Sequence, residues 1–185
     1  MLSGRKKNYL GVTKTGKVDV KGLTGKKSHT PPFIKTLFFE LLDILSMVNT
    51  IDDFDRAKNK VADKISECVR KIQAKEIPLT ELAFNVMLNK APNDYTKTIP
   101  QHIRAAKQLE SIREIKKGEI ISYVKILNKP GVRPVELARQ SEIDSSKYLE
   151  FMESTLDQIT SSMDLDFDTI LGKPKQTGLD QFFWN

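Results

Sequence analysis

Few residues of this chain suit reaction chemistry, and those that do are not gathered together. His29 and His102 are the only histidines and Cys68 the only cysteine, so no Cys/His set has metal-ligand spacing. No Gly-rich phosphate loop and no Gly-x-Ser-x-Gly elbow occurs. Acids cluster as Asp52-Asp53 and as Asp164, Asp166 and Asp168. Both groups fall at expected helix ends, where carboxylates cap free N–H groups. Two other patterns suit binding instead. Lys6-Lys7-Asn8-Tyr9 sets two long cations beside a ring at the start of a strand, a combination fitted to a duplex backbone and its groove edges. Leu179, Phe182 and Phe183 stand at i, i+3 and i+4, so one helical turn brings them to one side. In a polar tail headed by Gln176, such a plug suits a hydrophobic groove on a partner.

Charge placement agrees with a binding role. The 185 residues carry a net charge of +6. Residues 1–35 hold nine Lys and Arg against Asp19 alone, a local charge of +8 that leaves −2 for the other 150 residues. A concentrated basic segment attracts a polyanion in a salt-dependent way, and it is also what a solvated basic arm looks like. From Gln140 to Ile170 eight acids face only Lys147, which argues against phosphates beside that stretch. No run of residues is apolar for the length of a membrane span, and no apolar h-region follows the basic N-terminus. Cys68 reads as a small core residue in a reducing cytoplasm.

The elements that must position these residues follow from periodicity. Residues 8–23 alternate around Thr15-Gly16 and predict a β-hairpin. Thr30-Pro31-Pro32 opens a helix, with Ile34, Leu37, Phe38, Leu41, Leu42, Leu45 and Val48 on one face. Thr50 and Asp53 form a capping-box pattern before a second helix striped by Phe54, Ala57, Val61, Ile65, Cys68, Val69 and Ile72. Leu82 to Leu88 is a short apolar run that periodicity assigns to neither strand nor helix. Thr98-Ile99-Pro100-Gln101 starts a helix that carries His102 in its first turn and Arg104 and Lys107 on one side. His102 reads as a structural histidine, and the two cations fit phosphates and open water equally well. Residues 119–126 alternate like a half-buried strand, with Tyr123 among them; Pro130-Gly131 is a turn; Asp144 caps a last long helix through about Met163. A short turn near Phe167–Leu171 ends at Gly172, and a peptide tail follows. The predicted class is α+β, mostly helical.

Several stretches, taken in order, resemble the C-terminal part of archaeal-type family B DNA polymerases. Lys6-Lys7-Asn8-Tyr9 resembles the Lys-Lys-x-Tyr motif that enters the palm before the thumb. Leu79-Thr80-Glu81-Leu82-Ala83-Phe84-Asn85-Val86 is similar to a thumb segment of the family. Tyr95, then Pro100-Gln101-His102-Ile103-Arg104-Ala105-Ala106-Lys107, resembles its Tyr…Pro-His-Val-x-x-Ala-Lys element, with Gln101 inserted. Gly118-Glu119-Ile120-Ile121-Ser122-Tyr123-Val124 is similar to its Pro-Gly-x-x-Ile-x-Tyr-Val strand, with Lys117 in place of the proline. Arg133-Pro134 and Asp144…Tyr148 match the later thumb. Gln176, Leu179, Phe182 and Phe183 fill every position of the box that hooks replication proteins onto the PCNA sliding clamp.

The resemblance implies residues 1–29 as the end of the palm, 30–172 as the thumb and 173–185 as a PCNA-binding tail. It implies primer-template DNA as a partner of Lys6, Lys7 and Tyr9, with Arg104 and Lys107 as further candidate DNA contacts. It also implies the sliding clamp as partner of the tail, and the catalytic large part of a polymerase as a third partner. The aspartate motifs that hold two Mg²⁺ ions for nucleotidyl transfer in this family are not in the chain. The expectation is therefore no catalytic residue and no cofactor here, with Mg²⁺ in the complete enzyme and no polymerisation by this chain alone. A cytoplasmic, nucleoid-associated place is expected. Two rivals remain: a free-standing DNA- and PCNA-binding accessory protein, and a small RNA-binding or ribosome-associated protein that would leave the clamp box unexplained.

Overall fold

The computed structural model describes residues 9–12, 18–21, 29–96 and 99–172. Strands β1 (Tyr9–Val12) and β2 (Val18–Lys21) pair antiparallel with Tyr9 opposite Lys21, which gives the expected hairpin. Its second strand runs beside the first helix.

Helix α1 (Pro32–Ser46) begins where the ring of Pro32 presets the helical φ, with Pro31 as its N-cap. It buries Ile34, Leu37, Phe38, Leu41 and Leu42. The helix stops before Val48, so Val48 packs half-buried from the turn and not from the helical stripe. Helix α2 (Ile51–Gln73) carries the predicted capping box in full. The Asp53 N–H donates to Thr50 Oγ1 at 3.1 Å and the Thr50 N–H donates to Asp53 Oδ2 at 3.1 Å. The Arg56 guanidinium, which donates to Asp53 Oδ1 at 2.7 Å, with Thr50 and the Asn49 N–H, holds the Asp53 carboxyl down at about 2. Ala57, Val61, Ile65, Cys68, Val69 and Ile72 form the buried stripe, while Phe54 is only half-buried. Burial pushes the Cys68 thiol up to about 11, which leaves it an inert packing group.

The ambiguous apolar run is both things in turn. Leu79–Leu82 makes one helical turn, α3, and Phe84–Met87 then runs as strand β3. Strands β4 (Ile120–Lys125) and β5 (Val132–Pro134) complete an antiparallel sheet in the order β3-β4-β5. Phe84 lies opposite Tyr123, and Tyr123 opposite Pro134. The turn between β4 and β5 uses Gly131 at φ +84°, a conformation glycine adopts without steric cost. Helix α4 (Gln101–Leu109) packs on β4 and β5 through Ile103, Ala105, Ala106 and Leu109. Its N-cap is Pro100; the expected start at Thr98 lies outside the described residues.

Helix α5 (Ser145–Ser162) is capped by Asp144, whose carboxylate accepts from the Lys147 N–H at 3.2 Å. Tyr148, Met152, Leu156 and Ile159 are buried along its length. Ser145 Oγ donates to the Ile72 carbonyl at 2.9 Å, so α5 starts where α2 ends and returns along α1 and α2. The one-turn helix α6 (Phe167–Ile170) closes on Gly172 at φ +69° and lies against α2. The protein is thus α+β and mostly helical, as expected.

Candidate nucleic-acid interface

The cations predicted to meet DNA divide into two sets. Lys6 and Lys7 lie outside the described residues, and Tyr9 opens strand β1. Arg104 and Lys107 both stand on α4, three residues apart and so on one side of it. Gln176, Leu179, Phe182 and Phe183 of the tail also lie outside the described residues.

Helix α4 is oriented by its apolar face on the sheet and by one polar clamp. Gln108 Nε2 donates to the carbonyl of Val132 in β5 at 3.0 Å and to its own helix at Arg104 O, 3.1 Å. That rotation leaves Gln101 and Arg104 exposed and Lys107 half-exposed. The Arg104 Nε donates to the Ile99 carbonyl at 3.1 Å, which steadies the guanidinium beside the start of the helix. Among the described residues neither Arg104 nor Lys107 pairs with a carboxylate. Among the described residues no side chain caps the first turn of α4, since Pro100 carries no polar group. Uncapped N–H groups and the positive end of the helix dipole therefore stand next to two unpaired cations. Such a surface attracts an anionic oxygen.

His102, in that first turn, packs edge-to-face with Tyr95 at 6.4 Å between ring centroids. Partial burial pulls its pKa below the usual value, so at neutral pH it is an uncharged packing group. It adds no charge to the surface.

Elsewhere many of the charged groups pair with one another, four of the six cations of α2 among them. On α2, Arg56 pairs with Asp53 at 2.7 Å, Lys64 with Glu40 at 2.9 Å, Arg70 with Glu76 at 2.8 Å and Lys71 with Glu67 at 2.6 Å. Arg113 pairs with Glu119 at 2.6 Å, and Arg133 with Glu142. Asp166 caps α6 by accepting from the Asp168 N–H at 3.2 Å, and Asp53 is absorbed by the α2 cap. Among the described residues no three His, Cys, Asp or Glu side chains gather in a way that could hold a metal ion.

Sequence reasoning missed one cation whose placement the fold decides. The Lys125 ammonium sits 5.2 Å from the centre of the Phe84 ring and 5.6 Å from that of Phe151. Desolvation lowers its pKa and Lys147 adds repulsion, while the ring faces favour the charged form. Lys125 thus belongs to the core edge. Its chain neighbours give no hint of it, since the rings come from residues 41 and 26 positions away. Tyr148 was legible only as a buried aromatic. Its hydroxyl donates to the Leu82 carbonyl at 2.8 Å and accepts from the Lys125 N–H at 3.1 Å, which ties α5 to α3 and β4.

Residues 1–168 match the family described as DNA polymerase family B. The chain belongs to that family. It is 41% identical over 183 residues to DNA polymerase 1 of Saccharolobus solfataricus, an alignment covering 98% of this chain and 20% of that protein. DNA polymerase 1 of Sulfurisphaera ohwakuensis is 44% identical over 165 residues, covering 89% of this chain and 19% of the relative. In three dimensions the chain is similar to the family B DNA polymerase from the hyperthermophilic archaeon Pyrobaculum calidifontis. The TM-score is 0.61 at 19% identity, over 89% of this chain and 20% of that one. The chain therefore spans about a fifth of the length of the relatives it matches. No helix among the described residues is long and apolar enough to cross a membrane.

Proposed function

We propose that this chain is the C-terminal segment or small subunit of a family B DNA-directed DNA polymerase, and that it grips the duplex product and tethers the enzyme to its sliding clamp. Residues 1–29 complete the palm, residues 30–172 form the thumb and residues 173–185 carry the clamp-binding box. The observation that supports this most directly is the solvent side of α4. In a member of a polymerase family, two cations without carboxylate partners stand beside an uncapped helix start.

The grip needs no reaction centre in this chain. Lys6, Lys7 and Tyr9 meet the duplex at the palm edge. Arg104, Lys107 and the first N–H groups of α4 meet phosphates farther along. Contacts of this kind hold position without reading base sequence, which is what a polymerase needs of its product duplex. Nucleotidyl transfer belongs to the catalytic part of the enzyme, where two Mg²⁺ ions held by carboxylates would polarise the transferred phosphate. No carboxylate cluster among the described residues fits such ions. The tail makes re-engagement of the template intramolecular and synthesis processive.

The test is reconstitution with a catalytic part that contains the aspartate motifs. Lys6→Ala/Lys7→Ala is expected to weaken primer-template binding and to flatten its salt dependence, whereas an unchanged dependence removes those lysines from the interface. Deleting residues 176–185 is expected to abolish clamp-stimulated synthesis and to leave clamp-free extension intact. Loss of both would make the tail structural. Failure to associate with any catalytic part, with DNA and clamp binding retained, would establish the free-standing accessory protein instead.

A further inference from the structure

The turn between α1 and α2 is the most exposed apolar site of the described chain. Met47 keeps 73% of its surface in water and Ile51 keeps 83%. Met47 itself lines a shallow cleft of about 110 Å³ together with Ile44, Val48 and Ala57, and the charged residues Asp53, Arg56 and Lys60 complete the lining. An apolar cavity of roughly 150 Å³ accepts a benzene ring, so this cleft is of the size for one ring or one branched side chain.

Topology brings the last described residues back toward this place. Lys64 reaches Glu40 at 2.9 Å, so α1 and α2 run antiparallel and the cleft lies at the start of α2. Helix α5 begins at the other end of α2, where Ser145 bonds Ile72, and its 18 residues span about 27 Å back along the pair. From the level of Ile72, that length leads to the first turns of α2. Helix α6 follows and touches α2, so Gly172 is delivered to the same end as the cleft. The seven residues from Gly172 to Leu179 reach up to about 24 Å when extended.

We propose that the tail's own apolar plug, Leu179, Phe182 and Phe183, docks in the cleft at the α1–α2 turn and covers Met47 and Ile51. Chemistry matches on both sides. The plug presents two rings and a leucine to a ring-sized cleft. Asp180 is the only acidic side chain between residues 173 and 185, and Lys60 in the cleft lining has no ion-pair partner among the described residues, so the two charges are complementary. The proposal rests on the reading of the tail as a clamp-binding box, and it adds a regulation to it. The residues that enter the clamp are held on the thumb until the clamp competes for them. Free chain then shows the clamp a covered box, and apparent affinity falls by the fraction exposed.

Trp184 is the only tryptophan in the sequence and stands next to the plug, which makes its fluorescence a direct readout. The whole chain is compared with a synthetic peptide of residues 173–185 and with the variant Met47→Asp/Ile51→Asp, both positions being exposed and outside the core. Docking predicts emission blue-shifted from the peptide in the unaltered chain, and a return to the peptide's wavelength in the variant. Emission equal to the peptide's in the unaltered chain overturns the proposal. So does a blue shift that survives the variant, or one that grows with protein concentration and so reports a second copy. In parallel, the variant is expected to bind the sliding clamp more tightly, about tenfold if nine-tenths of tails are docked. Absence of clamp binding in both proteins, with the fluorescence result intact, defeats the clamp-binding reading alone and leaves the docking in place.

Discussion

Helices α2 and α4 manage charge in opposite ways. Helix α2 carries six cations and five acids, and four of those cations end in carboxylates of α1, of α2 itself or of the turn after it. Its start is closed by the reciprocal bonds of Thr50 and Asp53. Helix α4 has two cations, no acid and a proline where a capping side chain would stand. Exposed pairs of the α2 kind add little stability and mainly keep a long surface helix soluble and locally neutral. Among the described residues the α4 arrangement leaves both cations without a carboxylate and the first turn without a side-chain cap, so its charge is available to something outside the chain. Lysine and arginine content alone would rank α2 above α4 as a polyanion surface. Pairing removes that lead: α2 keeps Lys58 and Lys60 without carboxylates across 23 residues, and α4 keeps Arg104 and Lys107 within nine.

The largest effect that separates the two helices is expected in DNA binding by the assembled polymerase. Arg104→Ala/Lys107→Ala should lower the slope of log affinity against log salt by about 2, one phosphate contact per cation at ~0.9 each. Arg70→Ala/Lys71→Ala on α2 should leave the slope where it was. Equal slopes for the two double variants would erase the distinction. Next in size is a stability effect at the junction that holds the lobe carrying α4. Tyr148→Phe removes the bond to Leu82 O and leaves that carbonyl unsatisfied, an expected cost of about 1–3 kcal/mol in chemical denaturation.

Smaller effects come from the helix starts themselves. Thr50→Ala opens the α2 cap and should cost about 1 kcal/mol. Pro100→Asp does the reverse at α4. It supplies a capping carboxylate where Pro100 already has an extended ψ of 162°, and is expected to raise thermal stability slightly while weakening DNA binding. A variant that binds DNA as well as the original would remove the uncapped N–H groups from the interface.

The smallest is a pH dependence, with one titrating group on each helix. The Asp53 carboxyl is depressed in the folded chain to about 2 from an ordinary value of 3.8. Its contribution is therefore complete above pH 3.8 and is lost as pH falls toward 2. His102 has the same sign at a higher pH. Its folded pKa lies below the usual 6.5, so folding loses ground as pH falls below 6.5 and the ring must be charged. Titration of the two groups by NMR checks both directions. A duplex phosphate bound beside α4 should raise the His102 value.

Much of the fold was legible from local rules. The start of α1 at Pro31-Pro32, the Thr50/Asp53 box and the Asp144 cap depend on residues within four positions of one another, and the hairpin of β1 and β2 pairs residues no more than 12 apart. Their physics is short-ranged, so sequence spacing contains it. The division of Leu79–Met87 into α3 and β3 was not legible, because a run of that length takes its form from what it pairs with. Here the partner is β4, about 37 positions away. Of the candidate site, Arg104 and Lys107 could be placed on one side of a helix from spacing. That they lack carboxylate partners could not, since pairing depends on which helices lie alongside.

Sequence alone therefore determined membership in a polymerase family, the helical stripes and the residue types that a grip and a tether would use. Tertiary structure decided which charges remain available. It seated Lys125 on Phe84 and Phe151, and it tied the end of α2 to the start of α5 through Ser145 and through Gln140, whose amide donates to Lys75 O at 2.8 Å and Ile77 O at 2.6 Å. The reason is physical. A side chain's charge is written in its formula, but whether that charge is spent depends on atoms a few ångströms away, and those atoms come from chain positions that only folding brings near.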